Sequence, residues 1–167
     1  MKKTLIILLL FICIAFSCER DDLCPEDTPT TPSLIVEFRN NILNENPKNV
    51  TRLRVEDFED ATRVLEAYNI VTEDQIILPL KTDANETKYR VYRDYVDETN
   101  TGNPDVITIQ YSTTQIYVSR ACGFKSNFEN VEVLIENDSN NWMLFAAPEN
   151  DNQIVTNEDE IHFTIRH

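Results

Sequence analysis

From Leu34 onward the chain keeps changing face: apolar and polar residues alternate with period two over short stretches, so that Leu34, Val36 and Phe38 share one side. A strand sends successive side chains to opposite faces, whereas a helix returns to one face every 3.6 residues, so this alternation predicts half-buried strands. The pattern recurs at 50–55 (Leu53, Val55), 75–80 (Ile76, Leu78), 88–93 (Tyr89, Val91) and 105–111 (Ile107, Ile109, Tyr111). It continues at 115–122 (Ile116, Val118), 131–136 (Val131, Val133, Ile135), 141–147 (Trp142, Leu144) and 160–166 (Ile161, Phe163, Ile165). Turns are predicted at Asn44-Glu45-Asn46-Pro47, Asn137-Asp138-Ser139-Asn140 and Asn150-Asp151-Asn152. With Gly102 and Gly123 the only glycines, Asn and Asp must supply the left-handed backbone angles.

One stretch reads two ways. Phe58, Ala61, Thr62, Leu65 and Tyr68 recur at helical spacing behind Glu56-Asp57, acids that suit a helix N-terminus. A strand over Arg63 to Tyr68 is the rival, and it is preferred because every neighbour is a strand. About nine strands without βαβ alternation predict an all-β fold, an immunoglobulin-like antiparallel β-sandwich over residues 34–167. The Cys-Trp-Cys order of immunoglobulin domains is absent, since Trp142 follows Cys24 and Cys122, so strand order stays open.

Ahead of the sandwich, Lys2 and Lys3 precede an apolar run from Leu5 to Phe16 and small Ser17. This is the layout of a secretory signal peptide over residues 1–17. The run falls short of the roughly 20 apolar residues that span a bilayer, which makes a retained transmembrane helix the weaker reading. Ala15-Phe16-Ser17-Cys18 is similar to a bacterial lipobox, in which Cys18 becomes the acylated first residue of the mature chain. Ala15 stands where leucine is commonest, so cleavage by the ordinary signal peptidase is the alternative. Each buried CH₂ of an acyl chain contributes about 0.8 kcal/mol, so several chains on one cysteine make a stable anchor. Residues 18–33, acidic and carrying Pro25, Pro29 and Pro32 among threonines, read as an extended tether.

Residues 1–17 hold two of the fifteen basic residues and none of the twenty-nine acidic ones, leaving 13 against 29 and a formal charge of −16. Such a surface repels nucleic acid and anionic head groups. Of four cysteines, Cys13 leaves with the signal and Cys18 takes lipid, so Cys24 and Cys122 remain to pair in an exported protein. No Cys-x-x-Cys motif marks them as redox-active.

The supply of catalytic residues is thin. Only His162 and His167 exist, and alternation places His162, with Thr164 and Arg166, on the outward side of Ile161, Phe163 and Ile165. Nucleophilic hydrolysis would need one of these rings, and no Gly-x-Ser-x-Gly elbow accompanies them. Zinc lacks a ligand pair of proper spacing. Oxygen ligands for calcium are present at Asp57/Glu59/Asp60, Asn137/Asp138 and Asn150/Asp151/Asn152, without an EF-hand pattern. A pair of carboxylates able to cleave a glycoside is guaranteed by abundance alone and carries no weight without geometry. Tyr89, Tyr92, Tyr95, Tyr111 and Tyr117 offer either glycan-stacking platforms or, more commonly in antiparallel strands, cross-strand packing. Arg120 shares the parity of Ile116 and Val118, which points its guanidinium towards the core or a sheet edge beside Cys122, where it would need a carboxylate.

Cys18-Glu19-Arg20-Asp21-Asp22-Leu23-Cys24-Pro25, Thr30-Thr31-Pro32, Leu78-Pro79-Leu80 and Ser119-Arg120-Ala121-Cys122-Gly123-Phe124 resemble a family of Bacteroidota lipoproteins catalogued only as a domain of unknown function. The resemblance implies a lipid-anchored envelope β-sandwich and brings no catalytic residue or ligand with it. Glu19, Asp21 and Asp22 are similar to acidic signals that send such lipoproteins to the outer face of the outer membrane. Arg20 interrupts that run, and a merely solvated tether is the alternative. The expectation is a non-catalytic interaction or structural module of the outer membrane, without cofactor or metal, bound to the membrane through its lipid. Alternatives are a surface carbohydrate- or peptide-binding lipoprotein and, more remotely, a carboxylate-based glycoside hydrolase.

Overall fold

The computed structural model describes residues 23–42, 46–150 and 153–167. The signal over 1–17, Cys18 and the acidic positions Glu19, Asp21 and Asp22 lie outside the described residues. Alternation becomes nine strands: β1 Leu34–Arg39, β2 Val50–Asp57, β3 Val64–Glu73, β4 Gln75–Leu78, β5 Glu86–Val96, β6 Thr101–Ser119, β7 Gly123–Ile135, β8 Phe145–Pro148 and β9 Phe163–Arg166. They form two sheets, one in the order β4-β1-β9-β8 and the other β3-β2-β5-β6-β7. Pairing is antiparallel except between β1 and β9, where Val36 lies opposite Phe163 and Phe38 opposite Ile165. The chain is therefore an all-β sandwich.

Its core is the set of residues that alternation turns inward. Leu34, Val36, Phe38 and Ile165 meet Leu53, Val55, Val91, Ile107 and Ile109, and all are fully buried. Each such side chain contributes about 1.5–3 kcal/mol on leaving water. Trp142 closes one end against Phe38, with ring centroids 5.7 Å apart.

The ambiguous stretch at 56–68 resolves as strand, turn, strand. The Asp57 N–H donates to Arg63 O and the Arg63 N–H to Asp60 O, both at 2.9 Å, closing a turn between β2 and β3. Strand limits depart from the sequence reading at several places, β7 for one beginning at Gly123 and not at 131. The segments at 105–111 and 115–122 are one strand, β6, because residues 112–114 (Ser-Thr-Thr) contain no reversing residue; the register with β7 merely shifts between Gln110 and Ser112, as at a bulge. The strand expected at 141–147 is reduced to Phe145–Pro148, since the Trp142 and Met143 N–H groups are taken by the Asp105 carboxylate instead of a ladder.

Left-handed backbone falls on Asp94, Asn100 and Asn130, the residue types expected, and also on Arg52, Ile70 and Gln153, but not in the predicted turn at 137–140. Arg52 and Ile70 sit where the β2–β3 register slips repeatedly. Irregular pairing, not turn chemistry, sets their angles, and for a β-branched residue such as Ile70 the conformation costs about 1–2 kcal/mol.

Candidate functional site

The β6–β7 hairpin end gathers most of what the sequence singled out. Residues 120–122 reverse the chain, Gly123 takes φ 73°, and the Cys122 N–H donates to Ser119 Oγ at 3.0 Å. The left-handed angle at position 123 is one that only glycine adopts without strain. Cys122 is thereby presented to Cys24, and a disulfide joins the two across a Cα separation of 4.9 Å. Behind the bridge, the segment running to β1 is docked on the sandwich. The Ser126 N–H donates to Thr31 Oγ1 at 2.9 Å, Pro32 is buried, and the Ser33 N–H donates to Glu158 Oε1 at 2.6 Å. A hollow of about 550 Å³ lies between this segment and the hairpin, with Pro25, Thr28, Val118 and Phe124 among its walls.

Close to the bridge lies an exposed aromatic pair. Tyr117 and Phe124 face each other across the hairpin edge to face, with centroids 5.4 Å apart, yet they are 60 % and 64 % exposed. Leu23, next to Cys24 in sequence, is exposed as well, and Ile116, one position before Tyr117 and so on the other face of the strand, is partly exposed. Arg120 does not turn towards the core: pairing ends at Ser119, so parity no longer governs position 120, and the side chain is exposed in the turn with no ion pair among the described residues.

The outer face of the five-stranded sheet carries a ladder of charge. Glu56, only 3 % exposed, meets Arg54 Nε at 2.7 Å and Arg90 Nη1 at 3.6 Å. Arg54 lies over the Tyr95 ring at 4.5 Å and Arg90 over Phe58 at 5.2 Å, while Lys88 reaches Glu136 at 3.1 Å. A carboxylate so far from water is tolerable because two guanidiniums share it. These groups are spent on one another.

The histidines occupy places that alternation did not foresee. His162 and Thr164 are buried, not outward-facing: Thr164 lies in β9 between β1 and β8, and His162, just before β9, is held between Ile35 and Glu149. The His162 N–H donates to Ile35 O and its ring Nδ1 accepts the Ile35 N–H, each at 3.0 Å. The ring thus stands in for a backbone carbonyl and prolongs the β1–β9 ladder. His167 is seated against Phe38 and Trp142, at ring distances of 5.8 and 5.5 Å, with Nε2 3.1 Å from Lys48 O. Burial holds both imidazoles below their ordinary pKa.

Asp105 is the buried acid that the sequence reading passed over. Its Oδ2 accepts the N–H of Trp142 at 2.9 Å and of Met143 at 2.7 Å. Burial pushes its carboxyl up, against the pull of these hydrogen bonds. A signal was present: Asp105 shares the parity of inward-facing Ile107 and Ile109.

Of the five tyrosines considered as platforms, Tyr89, Tyr95 and Tyr111 are buried and Tyr92 is half-buried, leaving Tyr117 exposed. The Tyr89 hydroxyl donates to Pro79 O at 2.5 Å and the Tyr111 hydroxyl to Lys81 O at 2.8 Å, so these rings are packing partners. Oxygen-rich loops are likewise internally engaged. Asp57 meets Arg63 at 3.2 Å and Glu59 meets Lys81 at 3.0 Å, while Asp60 Oδ1 accepts the Thr62 N–H at 3.0 Å and Asp138 Oδ1 the Asn140 N–H at 2.6 Å. Among the described residues no group of three or more His, Cys, Asp or Glu side chains is placed to hold a metal ion; Asp151 and Asn152 lie outside them. Glu86 and Glu132 line one shallow groove with Gln110 and Asn130, and the Gln110 amide donates to Glu86 at 3.2 Å.

Two antiparallel-rich sheets, a disulfide at one hairpin end and titratable groups engaged in backbone or ion-pair contacts define a disulfide-stapled β-sandwich protein. The chain belongs to the Family of unknown function (DUF6452), which residues 59–167 match. That match contains Leu78-Pro79-Leu80 and Ser119 to Phe124 but begins after β1 and β2. Both are interior strands, so the folded unit extends N-terminally beyond the matched residues. No curated protein and no solved structure matches the chain.

Proposed function

We propose that this chain is a lipid-anchored, non-catalytic interaction or structural module of the cell envelope, held in the outer membrane through Cys18. The observation that carries the reading is the Cys24–Cys122 disulfide, which fastens the residues just after Cys18 to the β6–β7 turn. Disulfides persist in exported proteins and not in the reducing cytosol. A secretory signal ending at a lipobox-like cysteine supplies both the route and the anchor. The non-catalytic side of the reading is supported by how the two histidines and Asp105 are used, each ring or carboxylate being tied to backbone groups.

The test is Cys18→Ala in cells expressing the full chain, with membrane and soluble fractions compared and the mature N-terminus measured by mass spectrometry. The expected wild type is membrane-bound and carries acyl mass on Cys18, and the variant is released. An unmodified wild-type N-terminus overturns the anchoring, as does a variant that has lost its signal and still stays with the membrane. External protease on intact cells then distinguishes an outward-facing domain, expected to be degraded, from a periplasmic one.

A further inference from the structure

We propose that the disulfide-tied hairpin end is a membrane-contact surface, with Tyr117 and Phe124 seated in the interfacial layer of the bilayer that anchors the chain. This rests on the lipidation of Cys18 proposed above. The Tyr117–Phe124 pair puts two large rings in water on one face of the hairpin that the disulfide ties down, and Leu23, 82 % exposed, adjoins Cys24 in sequence. An aromatic pair packed edge to face but left open on its outer side forgoes the roughly 25 cal/mol gained per Å² of apolar area removed from water. A bilayer interface recovers that term, and the Tyr117 hydroxyl remains among head groups, the depth at which tyrosine concentrates in membrane proteins.

Covalent geometry decides which end of the sandwich meets the membrane. Six residues lead from Cys18 to Cys24, a span of at most ~20 Å when fully extended. The bridge then holds Cys24 on the turn that begins three residues after Tyr117. The 19-residue strand β6 runs away from that turn for about 60 Å at ordinary strand rise. The tether therefore keeps the apolar end within about 20 Å of the anchor, whereas the far end is brought near the bilayer only if the sandwich lies flat. Arg120 sits at the tip and Lys125 behind Phe124, but Glu26 and Asp27 are close in sequence to the bridge. Apolar insertion, not attraction to anionic lipid, therefore carries the contact, and it is expected to be insensitive to salt.

The experiment uses the full lipidated chain with Tyr117→Trp, reconstituted into phosphatidylethanolamine vesicles with and without phosphatidylcholine brominated on its acyl chains. Wild type provides the baseline, because Trp142 is buried and docked on Asp105, which lies about 40 Å along β6 from position 117. Mass spectrometry of Cys18 is read on the same sample. The expected result is a blue shift and a bromine-dependent loss of emission in the variant, unchanged by salt, with no loss in wild type. Acyl mass without quenching overturns the inference and leaves the anchoring intact. A chain without acyl mass overturns both. A blue shift without bromine quenching means that protein, such as a second copy, covers the end, and it also overturns the inference. Should Tyr117→Trp fail to fold, amide hydrogen exchange of residues 115–126 in wild type serves instead: slowing on vesicles supports the contact, and unchanged exchange refutes it.

Discussion

Replacing both Cys24 and Cys122 with serine removes a bridge between residues 98 apart in sequence, enclosing strands β1 to β6. The folded state loses little contact, because the serine hydroxyls occupy nearly the same space and Thr31 and Pro32 still dock the segment. The larger effect falls on the unfolded chain, which regains the freedom of a loop of about 100 residues. The chain-entropy treatment gives ~4.7 kcal/mol for such a loop, while measured losses usually lie at 2–4 kcal/mol. A sandwich of this length unfolds with an entropy of ~0.3 kcal/mol/K, so a loss of about 2–4 kcal/mol lowers Tm by about 7–13 °C. Calorimetry of the two proteins without reductant reads the shift. Adding reductant is expected to bring wild type down to the variant while leaving the variant unmoved. A shift under about 2 °C, the scale of an ordinary surface substitution, would refute the argument that this bridge constrains the unfolded chain.

Two further outcomes follow from buried polar groups. Asp105→Ala leaves the Trp142 and Met143 N–H groups without their acceptor and is expected to cost about 2–4 kcal/mol in urea unfolding, whereas Asp105→Asn keeps an oxygen there and costs less; an alanine variant as stable as the asparagine one would contradict this account. His162 has a folded pKa below its unfolded value, so its contribution is complete above pH ~6.5 and is lost as pH falls through the folded value. Wild type is expected to lose more stability than His162→Gln between about pH 7 and 5, and parallel stability profiles would count against the ring acting as an acceptor for Ile35.

The two sheets were legible in the sequence because alternation reports directly on which face a residue takes. Leu34, Val36, Phe38, Ile107 and Ile109 all point where parity sends them. Parity is silent on what covers the other face, and this is why His162 and Thr164 were misplaced: their burial depends on β1 and β8 flanking β9, a fact of strand order. The same silence explains the tyrosines, whose patterns are alike in sequence while Tyr111 packs on Phe128 and Tyr117 stands in water. Cys24 and Cys122 could be paired by elimination. That their bridge lies beside Tyr117, Phe124 and Leu23 required the hairpin register.

The parallel pairing of β1 with β9 also sets an order of events. Residues 34–39 are synthesised early, but one side of β1 has no partner until residues 163–166 have been made. Until then the inner row of Leu34, Val36 and Phe38 lacks Phe163 and Ile165, and the first sheet has an open seam along its middle. Contacts so distant in sequence form late and slow folding. On the export proposed above, the first sheet therefore cannot close until the C-terminal strand has crossed as well.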